Sequence, residues 1–135
     1  MDSTEQIEAM LQCKVWAVVG ATENPERFGY KIYKLLKEAG YKVYPVNLAL
    51  SYIEGARCYP SLTALPERPK AVSIVVPPKI GEKIIEECAE LDIKNVWLQP
   101  GANADTVVAA AKQAELNTIH ESCVLVEVHK QNPNL

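Results

Sequence analysis

The sequence predicts an α/β fold: a doubly wound, mainly parallel five-stranded sheet with helices on both faces, in a single domain. Three observations predict it. Short apolar runs alternate along the chain with segments of helical period, the pattern of βα units. The first run, Val15 to Val19, does not alternate with polar residues, as expected of a strand buried on both faces. The chain has 135 residues, enough for one domain of roughly 100–150 residues and too few for a second core. Residues 1–135 therefore read as one unit, with 1–13 as an N-terminal helix and 122–135 as a C-terminal extension.

Each element has a local reason. In the opening helix, Ser3 and Gln6 have capping-box spacing, and Ile7, Met10 and Leu11 share a face. The strand Val15–Val19 runs straight into Gly20-Ala21-Thr22, and Asn24-Pro25 marks a turn or helix start. Phe28, Ile32, Leu35, Leu36 and Ala39 then repeat at helical spacing, with Gly40 as the stop. A second strand spans Lys42 to Val46 and ends at Asn47. The segment through Tyr59-Pro60 reads as irregular, a turn with an extended piece, and Ser61 to Leu65 as one helical turn closed by Pro66. The third strand, Ala71 to Val76, is stopped by Pro77-Pro78. A helix follows from about Lys79 to Leu91, with Ile80, Ile84, Ile85, Cys88 and Leu91 facing inward. The fourth strand is Asn95 to Leu98, before Gln99-Pro100-Gly101. A helix from about Asn103 to Glu115 buries Val107, Val108, Ala111 and Ala114, and Thr118-Ile119 form the fifth strand. The run from Ser122 to Lys130 fits either a helix or an extended strand.

Composition narrows the function classes. With 48% hydrophobic residues the chain can bury a core. The formal net charge is −3 and no basic run occurs, so nucleic acid is not an expected partner. No apolar run nears the roughly 20 residues needed to span a bilayer, and Met1-Asp2-Ser3-Thr4-Glu5 does not resemble a signal peptide. A cytoplasmic protein without a membrane partner is expected. The cysteines at 13, 58, 88 and 123 form no CxxC pair, and His120 and His129 do not complete a ligand pattern. Four reduced thiols and no metal are expected.

Right-handed crossovers require the strand order of such a sheet to reverse beside the first strand, and ligands bind outside the carboxyl ends of the strands at that reversal. Topology therefore selects Gly20 to Gly29, Val46-Asn47, Val76-Pro77-Pro78, Leu98 to Gly101 and the residues after Ile119. A glycine between a buried strand and a helix start suits an anion, because the helix end offers unpaired N–H donors and partial positive charge. Thr22 adds a hydroxyl, and Arg27 and Lys31 could pair with phosphate oxygens. The alternative is that Gly20 only makes a tight turn. The loop is neither G-x-G-x-x-G nor a P-loop. At the second strand's tip, Pro45-Val46-Asn47 lacks the acid that NAD sites use, so the site leans toward a nucleotide with a phosphorylated ribose or toward no dinucleotide. Val75-Val76-Pro77-Pro78 forms either a stiff apolar rim for a thin apolar chain or a plain strand stop.

Five stretches in order carry a resemblance: Val19-Gly20-Ala21-Thr22, Gly40 to Asn47, Cys58-Tyr59-Pro60-Ser61-Leu62, Val96 to Gly101, and Ser122-Cys123. Over about residues 10–128 the chain resembles the small stand-alone CoA-binding proteins. These are similar to the CoA-binding domain of the succinyl-CoA synthetase alpha subunit and of NDP-forming acyl-CoA synthetases. The resemblance implies a Rossmann-like fold that binds coenzyme A or an acyl-CoA. Gly20, Ala21, Thr22 and Arg27 would hold phosphates, and Val46 and Asn47 would sit near the adenosine end. Val76, Pro77 and Pro78 would line the pantetheine arm, and Gln99, Pro100 and Gly101 would close the thiol end.

The sequence departs from that family in places. Val76-Pro77-Pro78 stands where small members often have Phe-Arg, and Glu121-Ser122-Cys123 where they often have Asp-Arg-Cys. The ligase's phosphorylated histidine lies in a domain this chain lacks, and His120 does not match it, so catalysis by this chain alone is not expected. Cys123 reads as an idle thiol or as a partner for a ligand thiol, and His120-Glu121 as a surface pair. Glu82, Glu86, Glu87, Glu90 and Asp92 read as a solvated face, and Trp16 and Trp97 as packing residues. The competing readings are an NAD(P)-binding oxidoreductase domain, NADP ahead of NAD, and a non-catalytic subunit of a synthetase-like complex. The partner would be a small nucleotide ligand, with a homodimer or a partner ligase chain also compatible with so small a domain.

Overall fold

Val15–Val19 (β1) is the centre around which the sheet is built, with parallel neighbours on both sides. The computed structural model describes residues 3–134, the side chain of Ser3 excepted. One edge strand is Lys42–Val46 (β2), and on the other side follow Ala71–Ile74 (β5), Asn95–Leu98 (β6) and Asn117–Ile119 (β7). The order β2-β1-β5-β6-β7 is parallel throughout and reverses beside β1, as expected. Tyr52–Ile53 (β3) and Ala56–Arg57 (β4) form a separate antiparallel hairpin. The helices are Ser3–Leu11 (α1), Phe28–Glu38 (α2), Pro78–Glu90 (α3), Asp105–Gln113 (α4) and Val124–Gln131 (α5). Among the described residues no helix is long and apolar enough to cross a membrane.

The pleat sends alternate β1 side chains into two cores. Trp16 and Val18 pack with Ile32, Leu36, Val124 and Val128 beneath α2 and α5. Ala17 and Val19 pack with Ile85, Cys88, Val107 and Ala111 beneath α3 and α4. Trp16 and Trp97 are fully buried, and each indole N–H finds a carbonyl, on Cys13 at 2.9 Å and on Ser122 at 2.9 Å. Both therefore serve as packing residues.

Three helices end alike. Gly40, Asp92 and Glu115 take positive φ of 96°, 59° and 61° just past α2, α3 and α4. The N–H groups of Tyr41, Ile93 and Leu116 then reach back to Leu36, Cys88 and Ala111 at 2.9–3.1 Å. This is the Schellman arrangement, with an apolar residue closing each turn.

Several expectations need adjustment. α3 starts at Pro78 and α4 at Asp105, because Asn103 spends its side-chain amide on the His120 carbonyl at 2.9 Å rather than inside the helix. Ser61–Leu65 is a single hydrogen-bonded turn, not a helix; Leu65 N–H meets Leu62 O at 3.2 Å. Glu87 does not sit on a merely solvated face. Its carboxylate accepts from Leu62 N–H (3.3 Å), Thr63 N–H (3.0 Å) and Thr63 Oγ1 (2.7 Å), pinning that turn to α3. Ser3 lies within α1 and its side chain is outside the described residues, while Gln6 donates to the Thr118 carbonyl at 3.3 Å. The run from Ser122 resolves into helix α5.

Candidate functional site

The reversal places the carboxyl ends of β1 and β5 side by side, and the loop 20–29 closes over that join. Gly20 has φ of 99°, donates to Val46 O at 3.0 Å, and lies beneath the end of β5, where Val75 N–H meets Val19 O at 2.9 Å. A Cβ on Gly20 would stand 2.5 Å from Val75 O and 3.1 Å from Val76 Cγ1. One on Gly29 would stand 2.0 Å from Gly20 O. Both glycines are thus required by close approach of the chain to itself, and the first turn of α2 is drawn against the end of β1.

Side chains fix the rest of the loop. Thr22 Oγ1 accepts from Asn24 N–H at 3.3 Å, and Asn24 Oδ1 from Glu26 N–H at 3.0 Å. Asn47 ties the tip of β2 to the same loop: its amide donates to Ala21 O at 2.8 Å while its Oδ1 accepts from Ala49 N–H at 2.7 Å. α2 begins with Arg27 as an extended N-cap that makes no side-chain capping bond, so its first-turn N–H groups have no side-chain partner. The result is a cleft of about 390 Å³ lined by Gly20, Thr22, Asn24, Arg27, Phe28, Gly29 and Val75. Arg27 is exposed and makes no ion pair with the described residues. A lining that combines a helix start, a hydroxyl and a guanidinium with an apolar strand end can hold an anion beside an apolar segment.

The structure sorts the residues picked from sequence. Gly20, Thr22 and Arg27 share the cleft, Val46 and Asn47 bond directly to its loop, and Val76 lies against Gly20. Pro77 and Pro78 start α3 as N-cap and first residue, which leaves that helix start two fewer donors. Gln99 is fully buried: its Nε2 donates to Ser73 Oγ at 3.1 Å and its Oε1 accepts from Val124 N–H at 3.1 Å. Its side chain thus joins β5, β6 and the start of α5 and does not line the cleft. Pro100 is exposed, and Gly101, φ 91°, turns the chain after β6.

Asn24, Phe28 and Gly29 lie in the stretch Gly20 to Gly29 that topology selects, and Val75 in the apolar rim, but the sequence gives none of the first three an individual role in the site. Phe28 falls in the apolar repeat of α2, yet it begins the helix and is 44% exposed. The Asn-Pro pair signalled a turn but not a wall of the site. Among the described residues no group of three His, Cys, Asp or Glu is placed to hold a metal ion. The thiols are all free. Burial pushes the Cys88 thiol up to about 12 and raises Cys13 and Cys58 as well.

Comparison with known proteins fits this geometry. A family model described as a CoA binding domain matches residues 14–129. The ADP-forming acetate–CoA ligase I of Archaeoglobus fulgidus is 34% identical over 116 residues, which cover 85% of this chain and 17% of the ligase. The alpha subunit of ADP-forming acetate–CoA ligase II of Pyrococcus furiosus is 40% identical over 81 residues, 59% of this chain and 18% of that subunit. The chain thus spans under a fifth of the length of these relatives. A hypothetical protein from Pyrococcus horikoshii OT3 superposes with a TM-score of 0.86 at 30% identity, covering 97% of this chain and 92% of its own.

Proposed function

The chain belongs to the CoA-binding domain family, and on that premise we propose that it binds coenzyme A or an acyl-CoA in the cleft at the β1–β5 join, as a binding module without chemistry of its own. The observation that carries this reading is the cleft itself, which the uncapped start of α2 with Arg27 and the apolar strand end at Val75 line together. The pyrophosphate fits the α2 side, where the helix end and Arg27 supply positive potential. The pantetheine arm fits the apolar side along Val75, Val76 and Pro77. Gly20, Ala21, Thr22 and Asn47 shape the loop from behind, Val46 and Pro78 frame it, and Gln99, Pro100 and Gly101 order the neighbouring strand end rather than touch the phosphates.

The missing acid at the tip of β2 supports a phosphorylated ribose, so coenzyme A is read ahead of NADP and NADP ahead of NAD. The Pyrococcus furiosus relative is the alpha subunit of an acetate–CoA ligase, which supports a partner ligase chain as the source of any catalysis.

Calorimetry with CoA, dephospho-CoA and NADH tests the reading. CoA should bind best and dephospho-CoA more weakly. Arg27→Ala should cost about 10- to 100-fold in CoA affinity, the range of one charge-assisted contact. Equal weak responses to all three ligands would sink it.

A further inference from the structure

Apart from the cleft, a groove of about 710 Å³ lies along α3 and α4, lined in part by Ala89, Ala110 and Ala114. Lys79, Glu82, Lys83 and Glu86 line it at helical spacing along α3. Neighbours four apart carry like charge, Lys79 with Lys83 and Glu82 with Glu86, which disfavours the helix on its own. Oppositely charged neighbours three apart form no ion pair within 4.0 Å, and none of the four charges meets another in the described residues.

The pattern has a symmetry. Lys79 and Glu86 lie equally far from the midpoint between Glu82 and Lys83, and their charges are opposite. An antiparallel copy of α3 laid across that midpoint therefore sets Lys79 against the partner's Glu86 and Glu82 against the partner's Lys83. The twofold axis repeats both pairs. All four charges on each copy are then matched, and the small alanine side chains leave room for a helix ridge to approach.

We propose that this face is a self-association surface, α3 against α3 antiparallel, that joins two copies of the chain. No residue lining the groove also lines the cleft, so this inference stands apart from the coenzyme reading.

Sedimentation velocity on the full chain tests it. The wild type should sediment as a dimer that dissociates as salt is raised. The pair Lys79→Glu with Lys83→Glu makes the face uniformly acidic, and Glu82→Lys with Glu86→Lys makes it uniformly basic. Each variant should be monomeric with an unchanged far-ultraviolet spectrum, and an equimolar mixture of the two should restore a heterodimer. A monomeric wild type, a dimer indifferent to both variants, or a mixture that stays monomeric would each overturn the proposal.

Discussion

At the scale of single residues, the join of β1 and β5 is governed by space rather than by propensity. Gly29 sits inside helix α2, where alanine is ordinarily better than glycine by about 1 kcal/mol. Yet its Cβ would fall 2.0 Å from Gly20 O, a backbone atom that cannot step aside cheaply. Gly29→Ala should therefore destabilise the protein by about 3 kcal/mol or more, read as a drop in the urea midpoint. Gly81 is the control: in α3 its Cβ would meet the two Val107 methyls at 3.4 and 3.5 Å, ordinary contact, and Gly81→Ala should hold or raise stability by up to about 1 kcal/mol. If both variants behaved alike, the close approach at the join would not be what limits the site. Sequence made Gly20 legible, because a glycine after a buried strand has few other reasons to be there. It did not make Gly29 or Phe28 legible, because their meaning depends on which backbone lies opposite, and that is a tertiary fact.

At the scale of elements, the ends of helices show the same division. The end of α2 could be read from Gly40, whose missing side chain permits the positive φ that a Schellman turn needs. The ends of α3 and α4 carry Asp92 and Glu115 in that position, so apolar periodicity alone set the expected boundaries there, and it overran by one or two residues. A non-glycine residue in the left-handed region costs about 1–2 kcal/mol, while glycine adds about 0.4–1 kcal/mol of chain entropy to the unfolded state. The balance favours glycine, so Glu115→Gly should raise stability by about 0.5–1 kcal/mol, seen as a higher melting temperature. A loss would mean that the Glu115 side chain does more than accept strain. The connection from β2 to β5 resisted reading for another reason. Among the described residues it contains no helix, and its turn at residues 61–65 is held by Glu87 from a distant element, which no local pattern announces.

At the scale of the whole molecule, the alternation of apolar runs and helical repeats is enough to give the parallel sheet and its reversal beside β1. The side-chain arrangement at the carboxyl ends of the strands is not legible that way, as Gln99 shows by turning inward to Ser73 and the start of α5. Burial of the two cores also sets a pH dependence. Cys88, raised to about 12 by desolvation, stays a thiol in the fold when the unfolded chain has already ionised at its ordinary 9.0. Below pH 9 both states hold the proton and the residue contributes no slope. Between 9 and 12 the unfolded state releases it first, so stability falls by up to about 1.4 kcal/mol per pH unit from this group. Tyr41 and Cys58, also raised by burial, act in the same sense. Unfolding free energies measured through that range should decline, and Cys88→Ala should flatten the decline by close to one proton; an unchanged slope would place the titration elsewhere.

The sheet's two margins carry a last consequence. β2 contains Pro45 and is bridged along its outer side by Tyr59, which exchanges backbone bonds with Pro45 and Asn47 at 3.0 and 2.9 Å. β7 is three residues long, and Gln6 from α1 reaches its Thr118 carbonyl. Each margin thus has part of its ladder occupied by the chain itself, which leaves less of it free for a foreign strand to pair with.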